Sequence, residues 1–226
     1  MRVDVLRNVF ARNEAAAAEN RRLLDQRRIV CINLLGGAGS GKTTLLEAVM
    51  PRLRGHMRVA VLEGDLATTR DADRIAALDV PVVQLLTDGG CHLNATLVQH
   101  GLARLPLDEI DLVVIENVGN PICPANFDLG EHARIAVLSV AEGSDKPSKY
   151  PLLFKEARLV VITKCDLLAM TDFDLDQAMR DIRRINPDAL VIPTDARGGR
   201  GIEDVAQWLR SRCRVGADVE CLNVMG

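Results

Sequence analysis

The feature that most constrains the fold is a glycine-rich segment between an apolar run and a helical one, INLLGGAGSGKTTLLEAV. It has the spacing Gly36-x-x-x-x-Gly41-Lys42-Thr43, which is typical of a phosphate-binding loop between a strand and a helix. An ordinary glycine-rich turn with an exposed lysine is the alternative, and the strand–loop–helix context argues against it. We expect Lys42 to reach the β- and γ-phosphates of a nucleoside triphosphate, and the Thr43 hydroxyl to bind Mg²⁺. The predicted nucleotide-binding residues of the loop are Gly36, Gly37, Ala38, Gly39, Ser40, Gly41, Lys42, Thr43 and Thr44.

Short β-branched runs alternate with helical stretches along the chain, and this alternation predicts an α/β fold. Most of the runs are apolar throughout, as expected for strands that are covered on both faces. We therefore expect a phosphate-loop NTPase fold, with a mostly parallel sheet of about seven strands, helices on both of its faces and an additional N-terminal helix. The predicted strands are 29–35, 58–62, 82–86, 112–116, 135–140, 159–163 and 190–192. The predicted helices are 42–54, 70–78, 93–103, 174–185 and 202–212, with shorter pieces near 148–156.

The N-terminal residues are rich in charge and alanine, and they predict one helix over 3–27. Because its apolar positions are sparse, we expect residues 1–28 to form a helix that packs on the outside of the main domain. Residues 29–215 are predicted to form that domain, with a metal site embedded in it, and 216–226 to form a C-terminal tail. A chain of 226 residues with 48% apolar and 26% charged residues is typical of one globular domain.

The overall composition limits the expected partners and compartment. A net charge of −3 and an aromatic content of 3% argue against nucleic acid as a partner, since binding needs a basic face and often aromatic platforms. No apolar segment approaches the roughly 18 residues of a membrane span, and the N-terminus has no apolar signal core. We therefore expect a cytoplasmic protein that does not bind a membrane. The six cysteines lack disulfide spacing, so free thiols are expected, some of them metal ligands.

A second motif predicts which base is bound. Thr163-Lys164-Cys165-Asp166 follows a late apolar run and matches the N/T-K-x-D pattern of GTPases. The Asp166 carboxylate can accept hydrogen bonds from N1–H and the 2-amino group of guanine, and the Lys164 stem can lie across the ring. A solvated lysine and a helix-capping aspartate are the alternative. After the last strand, the Ala196 N–H is predicted to contact guanine O6, so that the domain over 29–215 is expected to be a GTPase.

Two predicted strand ends carry carboxylates, Asp65 in VLEGD and Glu116 in VVIEN. In phosphate-loop enzymes such an acid holds Mg²⁺ or positions the attacking water, and we assign Asp65, Glu116 and Thr43 to Mg²⁺. Glu116 also begins an E-x-x-G segment in which the Gly119 N–H would sense the γ-phosphate. The alternative for each acid is a helix cap or a solvated loop. The residues predicted to be catalytic are Lys42, Asp65, Glu116 and Gly119. A further polar loop contains Thr68, Thr69, Asp71 and Asp73, of which Asp73 is another active-site candidate.

A thiol and imidazole group is the third chemical feature. DGGCHLNA contains Cys91 and His92, and GNPICPAN contains Cys123. Thiolate and imidazole ligands suit Zn²⁺ or Ni²⁺, and three ligands leave one coordination position open. The alternative is that each thiol is a small buried side chain, which is how we interpret Cys31 and Cys213.

The chain resembles one family, the hydrogenase maturation nickel-insertion GTPases, HypB. The matching stretches are GGAGSGKTTLLE, LEGDLATTRDADRI, GGCHLNA, ENVGNPICPANFDLGE, SVAEGSDKPSKYP and ITKCDLL, in family order from residue 29 to about residue 202. The resemblance implies that Cys91, His92 and Cys123 bind Ni²⁺ or Zn²⁺ at a nucleotide-dependent homodimer interface. It also implies GTP and GDP as ligands, low intrinsic turnover, delivery of nickel to the large subunit of nickel–iron hydrogenase, and a zinc-containing HypA-type maturation partner.

The chain departs from the family pattern in two places. It has four histidines and no cysteine before Cys31, so an N-terminal nickel motif is not implied, and Asn94 stands where an aspartate is expected. Because Glu116, Gly119 and Cys123 share one segment, we hypothesise that GTP binding or hydrolysis moves a metal ligand.

Two other functions remain open. One is a nucleotide-gated chaperone for another metal target, such as the nickel of urease, and the other is a scaffold with a structural zinc site. Besides Cys31 and Cys213, two further cysteines have no predicted metal role, Cys165 in the guanine motif and Cys221 in the tail.

Overall fold

The computed structural model describes residues 2–65, 69–87 and 89–218, and the side chains of 10–65, 69–87 and 89–213. The strands are β1 Val30–Gly36, β2 Val59–Asp65, β3 Val82–Leu86, β4 Leu112–Glu116, β5 Ala133–Ser139, β6 Ala157–Thr163 and β7 Leu190–Pro193. They form one sheet of seven parallel strands in the order β3-β2-β4-β1-β5-β6-β7. The predicted α/β phosphate-loop fold is confirmed. The carboxyl ends of all the strands lie at one edge of the sheet, which is where the predicted site residues fall.

The helices are α1 Arg2–Gln26, α2 Lys42–Leu53, α3 Arg70–Ala76, α4 Ala95–Leu102, α5 Lys146–Lys149, α6 Pro151–Lys155, α7 Leu175–Ile185 and α8 Ile202–Asp218. The helix predicted over 93–103 begins later because the Asn94 side chain caps its first turn. The last helix continues past the predicted boundary at 215, and residues 219–226 of the predicted tail lie outside the described residues. Within the described part of the chain, no helix is both long enough and apolar enough to cross a bilayer.

The core has helices on both faces of the sheet because successive strand residues point in opposite directions. In β1, Ile32 packs with the layer of α2, α3 and α8, whereas Cys31 packs with the layer of α1 and α4. A third cluster, around Phe154, packs α6 and α7 on β5 and β6, on the same face of the sheet as α1 and α4. Strands that are covered in this way need apolar residues at every position, which explains the continuous apolar runs. The predicted assignment of Cys31 to the core agrees with its complete burial, and Cys213 is half-buried.

The N-terminal helix α1 lies next to α4, and small and amide side chains form the middle of its contact face, while Leu24 near its end joins the core. Ala17 and Asn20 are almost fully buried on its inner side. A side chain cannot be added at the facing Gly130, because its Cβ would lie 2.6 Å from the Ala17 carbonyl oxygen. A helix that approaches this closely needs alanine rather than large apolar residues at the contact, which is why the apolar pattern of α1 is sparse.

Candidate nucleotide and metal site

The phosphate loop connects the end of β1 to the start of α2. Gly41 has φ +91°, a left-handed conformation that favours glycine, and a Cβ at Gly36 would lie 2.6 Å from the Val137 carbonyl oxygen. The Lys42 ammonium group folds back over the loop and donates to the carbonyl oxygens of Gly36 and Gly37, at 3.4 and 3.2 Å. Burial lowers the pKa of Lys42. The loop therefore presents a buried cation and backbone groups at the mouth of a cleft.

That cleft has a volume of about 410 Å³ and lies at the carboxyl ends of β2, β4 and β1. It brings together side chains from three predicted groups, the phosphate loop, the acids of the strand ends and the E-x-x-G segment. Its lining includes Ala38, Gly39, Gly41, Lys42, Thr43, Thr44, Asp65, Glu116 and Gly119. The predicted phosphate, magnesium and switch residues thus share one cleft.

Two buried carboxyl groups lie on neighbouring strands beside the Thr43 hydroxyl. Thr43 Oγ1 donates to Glu116 Oε1 at 2.7 Å, and Glu116 is paired in register with Glu63 on β2. Burial raises the pKa of Glu63 to about 8 and that of Glu116 to about 7. In the described structure, the Oε2 atom of each acid is buried and accepts no hydrogen bond. Hard oxygen donors of this kind, together with two unsatisfied carboxylate oxygens, fit a magnesium ion.

Glu63 was not predicted from the sequence, although VLEGD contains a signal that could have found it. Residues two apart on a strand share a face, so Glu63 and Asp65 project from the same face of β2. A glutamate in an otherwise apolar, buried strand is unusual. Its proximity to Glu116 depends on β2 lying beside β4, and that order was not readable from the sequence.

Arg74 is a second residue of the cleft lining that was not predicted from the sequence. Its guanidinium group is held by Glu47 at 2.6 Å and by Asp71 at 2.9 Å, and it donates to the Thr44 hydroxyl at 3.0 Å. These contacts direct a fixed cation to the rim of the cleft. An arginine in a short polar helix carries no sequence signal that separates it from a solvated surface residue.

Gly119 packs directly against the phosphate loop. A Cβ at this position would lie 2.9 Å from Ala38 Cα, so only glycine allows the two backbones to approach so closely. Next to it, the Asn117 side chain accepts hydrogen bonds from the N–H groups of Val118 and Leu93, at 3.0 and 3.4 Å. Since Leu93 follows the Cys-His pair directly, Asn117 connects the E-x-x-G segment to the predicted metal ligands.

The predicted base-binding residues line a separate cavity of about 280 Å³, which adjoins the phosphate loop. Lys164 has φ +59° and donates to the Gly39 carbonyl oxygen at 2.7 Å, and Thr163 Oγ1 donates to the Ser40 carbonyl oxygen at 2.6 Å. Asp166 and Ala196 both line this cavity. The end of β6 and the loop after β7 thus meet beside the phosphate loop, and the residues predicted to bind the base line one cavity there.

The predicted soft ligands are close neighbours. The Cys91 sulfur lies 3.6 Å from His92 Nδ1, and a hydrogen bond with the Cys123 thiol raises the pKa of Cys91. Asn120 donates to the Cys91 carbonyl oxygen at 3.4 Å and so connects the two ligand-bearing segments. The His92 ring stacks on Phe127 with 3.9 Å between centroids, and burial lowers its pKa. Among the described residues, no group of three or more Cys, His, Asp or Glu side chains is arranged to hold a metal ion.

Other residues singled out in the sequence lie away from these groups. Asp73 is exposed and accepts a hydrogen bond from the Thr69 hydroxyl at 3.0 Å, at the start of α3. Asn94 accepts a hydrogen bond from the Leu97 N–H at 2.9 Å and is the N-cap of α4. Cys165 is buried and donates to the Ile162 carbonyl oxygen. Thr68 and Cys221 lie outside the described residues.

The parallel sheet and the phosphate loop define a phosphate-loop nucleotide-binding protein, and the thiol and imidazole side chains beside the cleft add a candidate site for a soft metal ion. Residues 30–193 match the model of the nucleotide-binding domain of the CobW/HypB/UreG family. The hydrogenase maturation factor HypB of Azotobacter vinelandii is 45% identical over 93% of this chain and 71% of its own length.

Two further comparisons cover most of the matched protein. A probable hydrogenase maturation factor HypB of Methanocaldococcus jannaschii is 41% identical over 92% of this chain and 94% of its own length. The crystal structure of HypB from Helicobacter pylori in complex with nickel is 34% identical, with a TM-score of 0.86 over 90% of this chain and 95% of that one. The chain therefore belongs to the CobW/HypB/UreG family and, within it, to HypB, as the sequence motifs predicted.

Proposed function

We propose that this protein is a GTP-hydrolysing metallochaperone, which binds nickel or zinc through Cys91, His92 and Cys123 and supplies nickel during the maturation of nickel–iron hydrogenase. The observation that carries the proposal is a direct contact between the segment that lines the nucleotide cleft and the residue that follows His92. The Leu93 N–H approaches the Asn117 side chain at 3.4 Å, and Asn117 follows Glu116 of the cleft. The names of the matched relatives support hydrogenase maturation as the process.

The base-side cavity supports GTP over ATP. Asp166 lines it, and its carboxylate can accept from both N1–H and the 2-amino group of guanine. The Ala196 N–H would donate to guanine O6, and the stem of Lys164, whose ammonium group is held at the Gly39 carbonyl oxygen, would cover one face of the ring.

Thr43, Asp65 and Glu116 would hold the magnesium ion, and Glu63 belongs to the same group of oxygen donors. When bound, Mg²⁺ supplies charge neutralisation at the β- and γ-phosphates. Lys42 binds those phosphates from the loop, and Arg74 adds a positive charge at the rim of the cleft. The Gly119 N–H lies on a backbone that touches the phosphate loop, so it is suited to sense the γ-phosphate. Catalysis by these residues would rest on charge stabilisation and on orientation of the attacking water.

The cargo metal would bind at the surface. Cys91 is exposed and Cys123 is half-buried, so a metal ion held there is accessible to a second protein. Three ligands from one chain leave a coordination position for a ligand of another chain, which supports a nucleotide-dependent homodimer. The partners that we propose are a HypA-type maturation protein and the hydrogenase large subunit, and the proposed location is the cytoplasm.

Coupling between the two sites has a specific physical basis. Gly64 lies between Glu63 and Asp65, and an added Cβ there would lie 2.8 Å from Leu93 Cδ1, so Leu93 packs directly on the strand that carries the acids. Rearrangement of the acids around Mg²⁺ and the γ-phosphate would therefore be transmitted to the residue that follows His92. This relay supports a metal affinity that depends on the bound nucleotide.

The test measures nickel affinity with GDP and with a non-hydrolysable GTP analogue, both with Mg²⁺, together with the rate of GTP hydrolysis. We expect hydrolysis, and affinities that differ between the two nucleotide states. Replacing Cys91 or Cys123 by serine should remove tight nickel binding and leave GTP affinity unchanged. Equal nickel affinity in both states would refute the coupling, and tight ATP binding would refute the role of Asp166.

A further inference from the structure

The proposed metal ligands belong to two segments that are far apart in the chain. We define the Cys-His turn as residues 89–95, which ends at the first residue of α4, and the Cys123 loop as residues 117–131, which leads into β5. Metal binding by both requires that their separation be held constant. Side chains of α1 contact the end of each segment.

Asn13 and Asn20 of α1 each bridge the two segments with one amide group. Asn13 Oδ1 accepts from the Ala95 N–H at 2.8 Å, while its Nδ2 donates to the Asp128 carbonyl oxygen at 2.7 Å. Asn20 Nδ2 donates to the carbonyl oxygens of Ala95 and Leu129, at 2.8 and 2.9 Å. Both asparagines are buried, so the four hydrogen bonds are shielded from competing water.

An aromatic stack adds a third contact between α1 and the ligands. The Phe10 ring of α1 stacks on Phe127 of the Cys123 loop, with 5.5 Å between centroids and 21° between planes. Phe127 also stacks on the His92 ring, with 3.9 Å between centroids and 19° between planes. The orientation of the imidazole is therefore set by Phe127, which in turn rests against α1.

We propose that α1 is the positioning element of the metal site, with Asn13 and Asn20 fixing the spacing of the two ligand-bearing segments and the Phe10–Phe127 stack orienting His92. The proposal rests on the proposed function, since it assigns a role toward the same three ligands. Groups that contact metal ligands without binding the metal contribute strongly to metal affinity. They hold the ligands in place, so less conformational entropy is lost when the metal binds.

Asn117 and Gly119 of the Cys123 loop line the nucleotide cleft, but the hydrogen bonds of Asn13 and Asn20 go to Ala95, Asp128 and Leu129, which do not line it. In the described part of the chain, Val137, Thr163 and Lys164 hold the phosphate loop, and they belong to β5, β6 and the turn after β6. Loss of the asparagine bridges is therefore expected to change metal affinity without changing GTP affinity. A loss of stability alone would not produce this separation.

The experiment measures nickel and zinc affinities of the full chain by competition with a chromophoric chelator, and GTP affinity by calorimetry. For the double variant Asn13→Ala/Asn20→Ala we expect metal affinity to fall on the order of tenfold and GTP affinity to stay within about twofold. The sulfur-to-nickel charge-transfer absorption should also weaken, because ligand geometry is less uniform.

Asn186→Ala is the matched structural control. Asn186 Nδ2 donates to the carbonyl oxygens of Phe154, Lys155 and Ala157, far along the chain from the metal ligands, so its loss removes comparable hydrogen bonds. This variant should keep wild-type metal affinity. Asn13→Asp is a milder second variant. It keeps the acceptor for the Ala95 N–H and loses the donor to Asp128, so it should show an intermediate loss.

Each outcome decides the proposal. A selective loss of metal affinity in the α1 variants supports it. Two results would overturn this inference without affecting the proposed function, provided that the wild type binds metal. One is an equal loss of metal affinity in the α1 variants and in Asn186→Ala, and the other is an unchanged metal affinity in the α1 variants. If wild-type protein bound neither metal through Cys91 and Cys123, the proposed function would fail, and this inference with it.

Discussion

Thr43 donates its hydroxyl proton to Glu116 Oε1 at 2.7 Å, across the cleft between the phosphate loop and the end of β4. The bond connects the two predicted magnesium ligands that lie furthest apart in the sequence. It also satisfies one oxygen of a buried carboxylate whose other oxygen accepts no hydrogen bond from the described residues. Glu116 therefore combines a charge with an exact orientation relative to Thr43.

Glu116→Gln tests the importance of this charge. The amide oxygen can still accept from Thr43, so the fold and the hydrogen bond are retained, whereas the negative charge is lost. We expect GTP hydrolysis to slow by roughly 10²-fold to 10³-fold, as is typical when one electrostatic contact to the reacting groups is removed. Single-turnover hydrolysis measures the effect. The control is Glu14→Gln on the exposed side of α1, and a rate for Glu116→Gln equal to that control would contradict the assignment.

The stability of the protein without nucleotide or divalent ions should depend on pH through Glu63. Burial raises the pKa of Glu63 from 4.5 to about 8, so the folded state holds this proton more tightly than the unfolded state. Between these pH values the folded state binds more protons, and its stability therefore falls as pH rises. The contribution is complete below the unfolded pKa and is lost above about pH 8.

Glu63→Gln removes this titration. In urea unfolding at several pH values, the free energy of unfolding of the wild type minus that of Glu63→Gln should decrease as pH rises through this window and then level off. The control variant is Glu14→Gln, on the exposed surface of α1. A difference that increases with pH would mean that Glu63 is stabilised as a carboxylate, which contradicts its environment.

Base specificity should depend on Asp166. In Asp166→Asn the carboxylate that we propose accepts from guanine becomes an amide that also donates, so we expect GTP affinity to fall by about 10²-fold or more. Xanthosine triphosphate carries an oxygen in place of the 2-amino group and should bind this variant better than it binds the wild type. Competition against a fluorescent nucleotide measures both. Asp172→Asn, at an exposed position, is the control. If Asp166→Asn bound GTP as tightly as this control, the proposed role of Asp166 in guanine recognition would be wrong.

The strands, the phosphate loop and the strand-end acids were predictable because each depends on local residue order. Glu116 was found because a carboxylate ends an apolar run. Glu63 was missed because its importance depends on β2 pairing with β4, a long-range relation that residue spacing does not contain. The packing of α1 on the main domain was expected from the sequence, but the residues of its contact face were not. Its contact face uses Ala17 and buried asparagines in place of an apolar stripe, so the periodicity that normally reveals a buried helix face is absent.

Asn94 occupies the place of an expected aspartate, at a helix N-cap that suits either residue. It accepts a hydrogen bond from the Leu97 N–H as the N-cap of α4, a role that aspartate fills equally well. We expect Asn94→Ala to lose about 1 kcal/mol of unfolding free energy and Asn94→Asp to lose only a few tenths. Urea unfolding measures both. Nickel affinity of Asn94→Asp should equal that of the wild type, and a large change would show a ligand role.

Gly64→Ala tests the proposed relay between the nucleotide and metal sites. The added methyl group would lie 2.8 Å from Leu93 Cδ1, so Leu93 must move, and we expect a loss of about 1–3 kcal/mol of stability from overpacking. Because Leu93 follows His92 directly, its displacement should reduce the ratio of nickel affinities measured with GDP and with a GTP analogue. Adding Leu93→Val makes room for the methyl group and should restore both stability and much of that ratio. If Gly64→Ala kept the wild-type ratio while losing stability, the Gly64–Leu93 contact would be structural only, and coupling would have to pass through the Asn117–Leu93 hydrogen bond or the covalent segment from Glu116 to Cys123.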